Sequence, residues 1–133
     1  TWAVTSGLFL VIIILSLMPA LLDKDEAEKM AETASPLTTT QATLLAASEF
    51  EDVRDIVLGR CSMCHASEPG YERVRWPPKG VVLETDHQIV THAKSIIMQS
   101  ALSHAMPPAN VSYMELKERQ LLLRWFAAGI SEK

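Results

Sequence analysis

Cysteine occurs twice in the 133 residues, at Cys61 and Cys64, in the stretch "GRCSMCHASEPG" with His65 directly behind the second. No other feature constrains the chain so tightly. The residues from Ser48 onward number 86, and a core that small is marginal unless something staples it. A disulfide between cysteines one helical turn apart closes almost no loop and stabilises little. The pair therefore needs another use.

Two thiols a helical turn apart can form thioethers to the two vinyl groups on one edge of a porphyrin. The residue that follows then places an imidazole beneath the iron. Cys61-Ser62-Met63-Cys64-His65 has this spacing, the attachment signature of c-type haem. It predicts one covalent haem c on Cys61 and Cys64, with His65 as proximal axial ligand. Two rivals compete for the same cysteines. A disulfide oxidoreductase expects a strand-helix-strand context, and no convincing alternating run is present. A zinc site of Cys61, Cys64, His87 and His92 has usable histidine spacing. However, 22 residues separate Cys64 from His87, against roughly 12–15 in a zinc finger.

The expected distal ligand is Met106 in "SHAMPPANVS", where Pro107 and Pro108 stiffen the loop. His104 and His92 are rival ligands, and either would lower the potential. Met98 and Met114 fall in helical stretches, where core packing is the expected role. "WPPKG", Trp76 to Gly80, reads as a rigid turn whose proline carbonyls are candidate acceptors for the His65 ring N–H. Arg60, Arg73 and Arg75 are candidate partners for haem propionates. Trp125 and Phe126 are expected to pack the last helix on the first.

Three matches to the capping-box pattern precede amphipathic stretches: Ser48 with Glu51, Thr85 with Gln88, and Ser112 with Glu115. The first helix has Phe50, Val53, Ile56 and Val57 on one face. The second has Ile89, Ala93, Ile96, Ile97 and Ala101. The third has Leu121, Leu122, Trp125 and Phe126, with Gly129 as its stop. The expected domain, residues 48–133, is all-α.

Upstream, Trp2 to Leu22 form a run of 21 residues without a charge, long enough for one transmembrane helix over residues 1–22. The absence of a basic flank, and Thr1 in place of Met, lead us to expect that residue 1 is not the translation start. Residues 23–47 are acidic and then Thr-rich. They read as a linker, part helical over "DEAEKMAETA", with "SPLTTTQAT" disfavouring helix. Residues 1–47 carry two Lys against five Asp/Glu and residues 48–133 ten Lys/Arg against eleven, giving −3 and −1 of the total −4. With no basic stripe, nucleic acid is not an expected partner.

The C-x-x-C-H helix, the proline turn, the M-P loop and the aromatic last helix together resemble a small class I cytochrome c over residues 48–130. "GRCSMCHA", "PPKGVVLET", "HAMPPANVS" and "ERQLLLRW" look like the C-terminal cytochrome domain of bacterial membrane urate hydroxylases. The resemblance implies a haem crevice closed by crossing first and last helices. It would also make residues 2–22 the last helix of a membrane domain. The urate-oxidising membrane domain itself is absent from this chain, so no enzyme activity is expected of it alone. The expected function is a membrane-anchored mono-haem cytochrome. It would pass single electrons at the periplasmic face of the bacterial inner membrane, with the lipid bilayer and a membrane redox or bioenergetic complex as partners. The alternative is a structural or assembly subunit of such a complex.

Overall fold

The computed structural model describes residues 36–131, and all regular structure among them is helical. The order is α1 (Thr39–Ala46), α2 (Phe50–Arg60), α3 (Ser62–His65), a 3-10 turn (Pro78–Gly80), α4 (Asp86–Thr91), α5 (Ala93–Ile96), a π turn (Ile97–Leu102), a second 3-10 turn (Pro108–Asn110) and α6 (Leu116–Ser131). The all-α expectation matches these residues; its transmembrane part does not. No helix among the described residues is long and apolar enough to cross a membrane. The longest, α6, has 16 residues and carries Lys117, Glu118, Arg119 and Arg124, whereas a span needs about 20 mostly apolar ones. The run over residues 1–22 lies outside the described residues.

The compact unit begins at Leu37, inside the expected linker. Thr38 caps α1 with a full capping box: its hydroxyl accepts from the Gln41 N–H at 3.3 Å, and Gln41 Oε1 accepts the Thr38 N–H at 2.8 Å. The Thr run opens a helix here because its first member sits at the cap, where a short hydroxyl side chain is favoured. At the end of α1, the carbonyl of Leu44 lies in the last turn, which lacks intrahelical donors. Trp125 Nε1–H of α6 donates to it at 2.9 Å, and both side chains are completely buried. Phe50 packs against Trp125 with ring centroids 6.1 Å apart. Gly129, the expected helix stop, is instead buried within α6. A Cβ there would lie 2.3 Å from Leu44 Cδ2, so its bare backbone lets α1 approach.

Of the three expected caps, only Thr85–Gln88 forms, with both reciprocal bonds. Ser48 Oγ turns to the Glu49 carboxylate at 3.0 Å, and α2 starts without a side-chain cap. The hydroxyl of Ser112 is buried without a partner, and α6 starts after Glu115, whose N–H donates to Glu118 at 2.6 Å. The second helix is interrupted at His92 and ends in the π turn. Its expected apolar face is nonetheless buried at Ile89, Ala93, Ile96, Ile97 and Ala101. They join Val53, Val57, Leu83, Met114 and Leu122 in one core. Ile56, Leu121 and Phe126 pack at its edge.

Candidate functional site

Cys61 closes α2, its N–H bonded to the Val57 carbonyl at 2.9 Å. Its own carbonyl accepts from Cys64 N at 3.1 Å and His65 N at 2.9 Å, so the motif occupies one helical turn. His65 is then tied to the segment after the proline turn. Its carbonyl accepts the Leu83 N–H at 2.7 Å, and Nδ1 lies 2.9 Å from the Val81 carbonyl oxygen. A carbonyl has no proton to give, so Nδ1 is the donor, and in the neutral ring Nε2 is then the nitrogen with the lone pair. That tautomer is the one a metal-ligating histidine needs.

The acceptor is Val81 and neither proline, for a local reason. The turn bonds to itself, with Gly80 N–H on the Pro77 carbonyl at 2.9 Å and Val81 N–H on the Pro78 carbonyl at 3.2 Å. Lys79 (φ 57°) and Gly80 (φ 69°) turn the chain through the left-handed region, which delivers the Val81 carbonyl to the imidazole. Glycine takes that conformation freely and lysine at some cost.

Two cavities meet at this turn. One, of about 140 Å³, is walled by Met63, Cys64, Tyr71 and Pro107, among others. The other, of about 240 Å³, is walled by Val81, Leu83, His92 and Ile96, among others. Cys61, His65, Pro78 and Met106 line both. Burial, and then the neighbouring Cys64, push the Cys61 thiol up to about 12; burial also raises Cys64. Thiols raised by burial in this way are weaker nucleophiles than free ones. Among the described residues no three His, Cys, Asp or Glu side chains are grouped to hold a metal ion, so the quartet of Cys61, Cys64, His87 and His92 is not assembled.

Both backbone polar groups of Met106 are bonded. Its N–H donates to the Gln99 carbonyl at 2.9 Å, and its carbonyl accepts from Arg119 Nη1 at 3.0 Å. The loop around it has positive φ at His104, Ala109, Asn110 and Tyr113, a costly run of conformations for residues with side chains. Of the rival ligands, His92 lines only the larger cavity. Its pKa is lowered, by burial and then by nearby His65. His104 is exposed and lines neither cavity. Met114 is buried in the core as expected, but Met98 is 49 % exposed.

Arg60 lines the smaller cavity but is committed elsewhere. Its Nε and Nη2 lie 3.0 and 2.9 Å from Glu118 Oε1, and Nη1 donates to the Ser112 carbonyl at 2.9 Å. This fork joins the end of α2 to the start of α6. Arg73 and Arg75 are exposed and line neither cavity.

The sequence reading missed Arg119, 6 % exposed. The signal was present: Arg119 sits three residues before Leu122 and six before Trp125, on the buried stripe of α6. Two thiols, an imidazole with Nε2 available and a thioether line one cleft, a donor set that would suit a haem held by Cys61, Cys64, His65 and Met106. Searches against protein-family models, curated proteins and solved structures found no match to this chain.

Proposed function

We propose that this chain is a mono-haem c-type cytochrome that passes single electrons between protein partners. One observation carries the reading. The two thiols belong to a cleft that His65 and Met106 also line, and His65 is already in the ligating tautomer through Val81. When bound, haem supplies a one-electron couple, and the chain sets its properties. Cys61 and Cys64 fix the edge of the group. The Val81 carbonyl orients the imidazole and raises its basicity. Met106 supplies a neutral sulfur, which favours a high potential. The mostly apolar walls keep water away, which disfavours the more highly charged oxidised state. With both His65 and Met106 as donors, the group would offer a substrate no free site, so we read the role as transfer rather than catalysis. Covalent attachment belongs to the oxidising side of a membrane, and we place the module at the periplasmic face with a membrane redox complex as its partner.

The test is the purified protein under acid–acetone. Pigment that stays on the polypeptide, with the reduced pyridine spectrum of a haem joined by two thioethers, supports the reading. Freely extractable pigment, or stoichiometric zinc without haem, overturns it.

A further inference from the structure

We infer that Arg119 is a positioning residue that holds Met106 in place as an iron ligand and biases the site toward reduction by its buried charge. The inference rests on the haem reading above. Arg119 Nη1 donates to the carbonyls of Ser100 and Met106, and Nη2 donates to Asn110 Oδ1 at 3.3 Å. No carboxylate is among these partners. A guanidinium this buried would ordinarily be paired with an anion; here its planar fork spans three neutral oxygens on three parts of the distal loop.

Each of those parts needs the fork. Ser100 lies in the π turn, whose last carbonyls have no helical donors. Gln99 is satisfied by the Met106 N–H and by the Ser103 hydroxyl, and Ser100 by Arg119. Asn110 is the far post of the loop. Its Oδ1 also accepts the Met114 N–H at 3.0 Å, and its Nδ2 donates to the Met114 carbonyl at 3.1 Å. Arg119 thus ties the residue before the loop, the ligand's own peptide and the residue after it to α6. The strained backbone at His104, Ala109 and Asn110 has to be held by such contacts. A positive charge with no carboxylate partner among the described residues, beside the ligand peptide, also disfavours the added charge of the oxidised state, because Coulomb repulsion is weakly screened in the interior.

Three variants of the haem-loaded protein test this. Arg119→Met keeps the bulk but removes the fork and the charge. Arg119→Lys keeps the charge and removes the fork. Gly129→Ala, at the distant α1 contact, is a control for lost stability alone. Expected for Arg119→Met are loss or weakening of the thioether-to-iron band, new carbon monoxide binding, a lower potential, and at least tenfold faster hydrogen exchange at the Met106 amide. Arg119→Lys should also bind carbon monoxide and exchange faster, with a smaller fall in potential. Gly129→Ala should unfold more readily with the band intact. The inference is overturned if Arg119→Met keeps the band, the carbon monoxide inertness and wild-type exchange. Should that variant not fold, the same results in Arg119→Lys overturn it. A wild type that carries haem but shows no thioether band, and is unchanged by Met106→Ala, rejects the ligand assignment in the reading beneath, a separate failure.

Discussion

His65 and Met106 line the same cleft but are held there by different means. His65 lies within one helical turn of both cysteines, and its ring and carbonyl are tied to Val81 and Leu83, fewer than twenty residues away in the chain. The Met106 peptide is held by the π turn before it and by a side chain from α6. The first is a local device that any chain with that motif and a suitable turn can build. The second exists only once the last helix has docked. Local bonds survive fraying of the rest, whereas a clamp from another element fails with that element. The methionine side is therefore the one that partial unfolding of α6 releases first.

The largest effect expected is on the local side. Cys61→Ser with Cys64→Ser should abolish covalent pigment, read on a denaturing gel stained for haem; retained stain would break the assignment of those thiols. Met106→Ala comes next. The thioethers and His65 remain, so the helical circular dichroism should persist while the potential falls and carbon monoxide binds. His104→Ala should change neither. If His104→Ala instead loses the thioether band and Met106→Ala keeps it, the ligand is misassigned.

A third substitution sharpens the contrast by acting far from both ligands. Leu44→Ala leaves a cavity where α1 crosses α6 and should cost roughly 2–5 kcal/mol in denaturant unfolding. Gly129→Ala overpacks the same contact and should cost about 1–3 kcal/mol. Both should lower the midpoint without shifting the visible spectrum of the folded protein. A changed thioether band in either would mean that the α1 contact sets the ligand geometry too.

The smallest effect is a pH dependence at the α2–α6 junction. Burial alone would raise the Glu118 pKa, but the bonds from Arg60 and from the Glu115 N–H hold it below the ordinary carboxylate value. A carboxyl depressed in the folded state stabilises the fold above its unfolded value and loses that contribution as pH falls through the folded one. Glu118→Gln should therefore unfold more readily than wild type near neutral pH and converge with it in acid. Coincident unfolding-midpoint profiles would show that the fork with Arg60 contributes nothing to the fold.

Much of the core was legible because burial follows helical period: Val53, Val57, Ile89, Ala93, Ile96, Leu122 and Trp125 fall where the periodicity puts them. The caps were less so. Ser48 and Ser112 match the pattern and form no cap, because each of their helices starts later than the match and the hydroxyl never reaches the intended N–H. The helix at Thr39–Ala46 was concealed by its Thr run. Its first member is a cap, and its stability comes from Trp125 and Gly129 more than eighty residues on.

By itself the sequence determined that Cys61, Cys64 and His65 share one helical turn, since spacing along a helix is a local property. It also determined the all-helical class of the described residues, through periodicity and the lack of alternating runs. Only the tertiary structure decided that Val81 and neither proline takes the His65 ring proton, because the turn consumes its own proline carbonyls. Only docking of α6 put Arg119 on the Met106 carbonyl. Which oxygen meets a buried guanidinium depends on how elements pack, and no sequence period encodes that.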